Sequence, residues 1–161
     1  MPRIGITGHS DLGEETTALV RRALDRELAA FGGGPELVGV SCLAKGADQV
    51  FAESVWEARG TLEVILPSVD YRETKVAADD LYRFDGLLMR AAAVRFMPFR
   101  TAGEEAYEAA NTAVRARVER LFAVWDGRPG TGRGGTADAV AAARRHGVPV
   151  HVLWPEGAVR G

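Results

Sequence analysis

Short apolar runs alternate along this chain with longer stretches in which apolar positions recur every three or four residues. Ile4-Gly5-Ile6-Thr7 is the first such run and predicts a buried strand. Val20, Leu24, Leu28 and Phe31 then recur at helical spacing and predict an amphipathic helix over about residues 13–31, stopped by Gly32-Gly33-Gly34-Pro35. Leu37 to Cys42 predicts a second strand, and Val50, Phe51, Ser54, Val55 and Ala58 share one face of a second helix. Leu62 to Leu66 predicts a third strand, ended by Pro67. One helix is expected from Asp70 to Arg90, with Leu81, Phe84, Leu87 and Leu88 facing inward, then a strand over Ala93 to Met97 and a helix over Glu104 to Arg120. Leu121 to Trp125 predicts a buried strand, Gly127 to Gly135 a glycine-rich loop, Thr136 to His146 a helix closed by Gly147, and Pro149 to Leu153 the last strand.

Strands alternating with helices of this length predict an α/β domain of Rossmann-like, three-layer form, with a mostly parallel central sheet covered on both faces. At 161 residues the chain fits a single domain. Its net charge of −2 lacks the basic excess of a nucleic-acid or acidic-membrane binder. Cys42 is the one cysteine, which excludes an internal disulfide and a cysteine metal cluster. No cofactor and no metal is expected. The opening MPRIGITGHS has no long apolar stretch, and the cytoplasm is the expected compartment. The mixed apolar and charged segment from Asp70 to Arg90 carries more apolar residues than one covering helix requires and suggests a homodimer face, with Glu104 to Arg120 beside it.

Three loops follow strands, precede helices and are small and polar: Thr7-Gly8-His9-Ser10, Ser41 through Asp48, and Asp126 through Thr136. In an open parallel sheet such loops gather at the carboxyl edge of the strands, where ligands bind beside the switch in strand order. The helices that follow point unsatisfied N–H groups at that edge, and glycine lets the backbone approach an anion. Phosphate is the expected anion. In the last loop Asp126, Gly127, Arg133, Gly134, Gly135 and Thr136 are the candidate contacts, with Thr136 as helix cap and Arg128 and Arg133 as forks onto phosphate oxygens. No G-x-x-x-x-G-K-[ST] occurs. Gly130, Gly132 and Gly135 match G-x-G-x-x-G formally, but too late in the chain for the ribose-binding acid of a dinucleotide site.

His9 suits either phosphate donation or structuring of its loop, and Asp48 either orients the second loop or reaches a ribose hydroxyl. Trp125 and Trp154 end strands beside the loops, where they stack on a base or pack in the core. His146 and His151 read as helix-end and strand residues, and Cys42 as a small residue at a strand end.

GITGHSDL, SCLAKGADQVFA, ILP, AVWDGRPGTGRGGTADAV and VPVHVLWP, in that order over nearly the whole chain, resemble the SLOG superfamily. It includes LOG-type phosphoribohydrolases, DprA DNA-processing proteins and many ligand-sensing domains. The resemblance implies a Rossmann-like fold for nucleotides or nucleotide-derived ligands. It places Gly8, His9, Ser41 and Gly46 beside the phosphate, Gly134, Gly135 and Thr136 on it, and Asn111 near the ligand. Ser10 stands where close relatives often have arginine. LOG hydrolases carry PGGxGTxxE, and Ala139 occupies the position of that glutamate here. Asp138 lies one residue earlier, about 100° around the helix, and does not substitute for it.

Three functions follow from these residues. The first is a sensing or binding domain for a nucleotide-like small molecule. The second is a nucleoside 5′-monophosphate N-glycosidase that releases base and ribose 5-phosphate, for which Asp138, Asp126, Asp48 and Glu108 are the candidate carboxylates. The third is DprA-like single-stranded DNA binding, which the slightly acidic balance and the absence of a basic stripe oppose.

Overall fold

Alternation of side chains along each strand sorts the protein into three layers. The computed structural model describes residues 2–130 and 135–161. The strands are β1 (Arg3–Gly8), β2 (Val38–Ser41), β3 (Thr61–Leu66), β4 (Ala93–Phe96), β5 (Arg120–Val124) and β6 (Val150–Val152), and the helices α1 (Glu14–Ala29), α2 (Ala47–Glu57), α3 (Tyr71–Lys75), α4 (Leu81–Arg90), α5 (Glu104–Ala116) and α6 (Thr136–Arg145). The strands form one open sheet in the order β4-β3-β2-β1-β5-β6, every neighbouring pair parallel. Ile4, Ile6, Phe122 and Val124 face α1 and α2, while Leu62, Val64 and Leu66 pack with Phe84 and Leu87 of α4 on the same side. Val38, Val40, Ile65 and Leu121 face Ala110, Ala113 and Val114 of α5 and Ala143 of α6. Glycines inside two strands let the helices close on the sheet. A Cβ at Gly5 would stand 2.7 Å from Val114 Cγ1, and one at Gly39 would stand 2.6 Å from Val55 Cγ2.

Two helices differ from the sequence expectation. The helix expected over Asp70 to Arg90 is broken: Val76 and Ala77 are extended, and a single 3-10 turn over Ala78–Asp80 leads into α4. The cause is tertiary. Gln49 Nε2 donates to the buried Asp80 carboxylate at 2.8 Å and anchors the chain where a continuous helix would carry it away. The helix expected to reach Arg120 ends at Ala116, because the next residues serve β1: Arg3 Nε donates to the Arg117 carbonyl at 2.7 Å and Glu119 N–H donates to the Arg3 carbonyl at 2.8 Å. Phe84 and Leu87 of α4 are fully buried against β3, with Leu88 packed on the same cluster. Tyr82 and Met89 of the same helix stay exposed.

β1 lies at the centre, and the chain moves outward through β2, β3 and β4 before returning to place β5 on the other side of β1. The strand order therefore reverses between β1 and β5, and the loops after these strands diverge there to leave a crevice. Backbones converge tightly at this point. A Cβ at Gly8 would meet Ala47 Cβ at 2.5 Å and Val124 Cβ at 2.8 Å. Gly46 has φ +92°, and a Cβ there would meet the His9 carbonyl oxygen at 2.6 Å and Ser10 Cα at 2.7 Å. Gly46→Ala is expected to cost about 2–4 kcal/mol, the strain of a left-handed residue plus backbone overlap. Gly34→Ala, also at positive φ but with no atom within 4 Å of the added Cβ, is expected to cost about 1 kcal/mol. Denaturant unfolding of the two variants measures the difference, and equal losses would show that the close approach carries no cost.

Candidate ligand-binding site

The loop after β1 is tied down on both sides by His9. Its backbone N–H donates to the Val124 carbonyl at 3.0 Å, and its carbonyl accepts from Ala47 N–H at 3.1 Å. Its ring Nε2 accepts from Asp126 N–H at 3.1 Å, which puts the proton of the neutral ring on Nδ1. Burial first, then the Arg160 charge, push the imidazole pKa down against the nearby Asp126 carboxylate, so the ring is neutral at pH 7. Trp154 meets the ring edge-on at 5.6 Å between centroids. Of the two roles open to His9, the structuring of its loop is built into this geometry.

These ties frame a cleft of about 710 Å³ above the carboxyl ends of β1, β2 and β5. Gly8, His9, Asp48, Asn111, Gly135 and Thr136 line it, as do Trp125 and Cys42. Gly135 is the N-cap of α6, without a side-chain cap bond among the described residues, and Gly135 and Thr136 at the start of that helix line the cleft. Thr136, expected as the cap, is instead the first helical residue. Gly134 and Arg133 lie outside the described residues.

Other candidates serve the frame and do not line the cleft. Ser41 is fully buried; its hydroxyl donates to the Asp48 carbonyl at 2.9 Å and accepts from Leu43 N–H at 3.1 Å, which uses both of its capacities. Gly46 is the N-cap of α2. Asp126 accepts from Arg128 N–H at 3.0 Å and shapes the turn at Gly127. That bond, then His9 and Arg160, hold the Asp126 carboxyl below the usual carboxylate range. Glu108 and Asp138 line a separate groove of about 280 Å³ between α5 and α6, which Asn111 also borders. Of the four candidate carboxylates, Asp48 alone lines the cleft. It is 8% exposed, and its Oδ2 accepts a long bond of 3.4 Å from Ala44 N–H. Burial lifts its pKa to about 7, outweighing that bond. Cys42 is a neighbour whose thiol burial also pushes up.

Several lining residues escaped the sequence. Arg160 reaches the cleft from the C-terminal segment, where Leu12 and Arg160 form an antiparallel bridge and Arg160 Nε donates to Asp11 at 3.0 Å. Tyr71 of α3, Tyr107 of α5, Lys75 and Lys45 also line it. Lys45 sits inside a motif legible in the sequence, whereas nothing local in the sequence marks Arg160 or the tyrosines. Trp154 packs on the core and on His9, while Trp125 lines the cleft and donates its indole N–H to the Arg128 carbonyl at 2.9 Å.

An open parallel sheet with a cleft at its switch point defines a Rossmann-like α/β domain. Solved structures share this fold. DNA processing protein A (DprA) from Streptococcus pneumoniae superposes with a TM-score of 0.69 at 15% identity, over 98% of this chain and 52% of that one. DprA from Helicobacter pylori, a single-stranded DNA binder, gives 0.69 at 16% identity, over 99% and 68%. The Moco carrier protein of Chlamydomonas reinhardtii gives 0.58 at 22% identity, over 94% and 75%. The chain thus spans about half the length of the S. pneumoniae protein. At these identities the likeness shows a shared Rossmann-like α/β fold. No protein-family model and no curated protein matches the sequence.

The raised Asp48 pKa makes stability depend on pH. Below pH 4 the carboxyl is protonated folded and unfolded. Between about pH 4 and pH 7 the unfolded chain ionises first, so folded stability falls as pH rises, and the loss is complete above pH 7. Asp48→Asn removes this loss, and its advantage over the unaltered protein is expected to grow across that window to as much as about 4 kcal/mol. Urea unfolding of both proteins from pH 4 to 8 checks it, and a pH-independent difference would refute the raised pKa.

Proposed function

We propose that this chain binds a small nucleotide or nucleotide-derived phosphate ligand in the cleft and holds it as a sensing or binding domain. One observation carries the reading: the N-terminus of α6, at Gly135 and Thr136, has no side-chain cap among the described residues and lines the cleft at the strand switch, with the Gly8-His9 loop. Unsatisfied N–H groups and the positive end of a helix dipole favour an anion there. Lys45, Lys75, Arg128 and Arg160 line the same cleft with Asp11 and Asp48, so cations outnumber carboxylates there in a protein of net charge −2. A volume of about 710 Å³ falls within the range of small-molecule sites. The Moco carrier and DprA neighbours support a ligand-binding use of this fold.

Turnover is the second reading, and Asp48 is what favours it. A carboxyl in the cleft with a pKa of about 7 has the properties of a general acid or base. Against it stands Ala139, buried on α6 in the position of the LOG glutamate.

A panel of nucleoside monophosphates, ribose 5-phosphate and oligo(dT), read by thermal shift and by product chromatography, separates these readings. Stabilisation by nucleotides without release of base is the expected result. Gly135→Asp places a carboxylate at the helix N-terminus and is expected to abolish binding. Thr136→Ala loses one hydroxyl contact, about 1 kcal/mol. Arg160→Ala weakens binding most at low salt. Base release by the unaltered protein, lost in Asp48→Asn, would replace the binding reading with the hydrolase, and stabilisation by oligo(dT) alone would replace it with DNA.

A further inference from the structure

We propose that Asp48 is the group that reads the ligand's ring, accepting a hydrogen bond from the exocyclic amino group of a flat heterocycle whose phosphate lies at the β1 and β5 loops. The inference rests on the phosphate reading above and adds which rings the cleft takes.

Asp48 is more than nine-tenths buried, yet it makes one side-chain hydrogen bond among the described residues, the 3.4 Å contact of Oδ2 with Ala44 N–H. The other carboxyl oxygen bonds to no protein group among the described residues and is not sealed from the cleft, which the residue lines. An acceptor at the bottom of a cleft, on a residue only 8% exposed, is open to a donor that a ligand supplies. The side chains around it describe that ligand. Tyr71, 7% exposed, is close enough to feel the charges of Asp48, Tyr107 and Cys42, and burial pushes its phenol pKa up. Tyr71, Tyr107, Cys42 and Pro67 line the same cleft. Aromatic and apolar walls suit the faces of a ring, and a single carboxyl among them suits a donor on its edge.

The spacing agrees. The start of α6 follows β5, whereas Asp48 is the second residue of α2, after β2, and Tyr71 follows β3. Strands lie about 4.8 Å apart, so β2 is about 10 Å from β5, the reach of a phosphoribosyl group. A ring with a keto oxygen at the reading position would set acceptor against acceptor once the carboxyl is ionised, while an amino group donates to it.

Calorimetric titration of the full chain at pH 8, above the Asp48 pKa of about 7, tests this with AMP and GMP against IMP, CMP against UMP, and ribose 5-phosphate alone. At least one amino-bearing nucleotide is expected to bind roughly ten- to a hundred-fold tighter than its keto partner. Asp48→Ala levels that pair. Asp48→Asn, whose amide donates to a keto oxygen as well as accepting from an amino group, narrows it by raising the affinity for the keto partner, a gain that a merely structural role does not produce. Ribose 5-phosphate binds all three proteins alike. Equal affinity for amino and keto partners in the unaltered protein, with ribose 5-phosphate still bound, overturns the role of Asp48 and leaves the phosphate reading standing. A preference that survives both substitutions overturns the assignment to Asp48. A preference of the unaltered protein for AMP over 2′-deoxy-AMP that both substitutions abolish, in place of an amino preference, assigns Asp48 to the sugar and overturns it as well. Failure of ribose 5-phosphate and every nucleotide to bind overturns the phosphate reading itself, and the inference with it.

Discussion

Three backbones meet at the carboxyl end of β1 at distances that exclude side chains, and the site depends on that approach. Gly8 leaves room for Ala47 and Val124, and Gly46 leaves room for the carbonyl of His9. The hydrogen bonds from Ala47 N–H to His9 and from His9 N–H to Val124 then lock the starts of two loops to each other. The imidazole of His9 then holds the start of the loop after β5 through Asp126 N–H. The crevice is a consequence of strand order, but its width is set by these contacts.

A frame built from backbone polar groups has an electrostatic consequence. The N–H groups at the start of α6 supply partial positive charge at the switch point, without a side-chain cap among the described residues. The cationic side chains that line the cleft come from separate elements, Lys45 before α2, Lys75 at the end of α3, Arg128 after β5 and Arg160 from the C-terminal segment. Charge assembled this way leaves no basic stripe in the sequence. Asp48 works in the opposite direction: it is a carboxyl kept in a place that raises its pKa to about 7, which costs folded stability at neutral pH. A residue that weakens the fold while lining a cleft is a reasonable marker of function.

The layer arrangement and most strands were legible because a parallel sheet covered on both faces needs near-continuous apolar runs, and Ile4 to Thr7, Leu62 to Leu66 and Leu121 to Trp125 are such runs. Helix lengths were less legible. The residues from Asp70 to Arg90 have acceptable helical periodicity throughout, and the break at Val76 and Ala77 is imposed by the bond between Gln49 and Asp80, 31 positions apart. Similarly, Arg117 to Glu119 carry no stop signal of their own and are drawn off by Arg3, 114 positions away. Local propensity does not contain contacts of that range.

For the site, the sequence by itself determined that three small, polar loops follow strands, and strand-helix alternation requires such loops to share one edge of the sheet. It therefore located Gly8, His9, Asp48, Gly135 and Thr136, all of which line the cleft. Only the tertiary structure decided which of the remaining candidates face that cleft. Ser41 turned under its own loop to satisfy two backbone groups, and Glu108 and Asp138 opened on a different groove. Tyr71, Tyr107 and Arg160 joined the cleft from α3, α5 and the C-terminal segment. The reason is physical: strand order brings loops together, whereas the direction of a side chain is settled by the hydrogen bonds and packing it finds when distant parts of the chain meet.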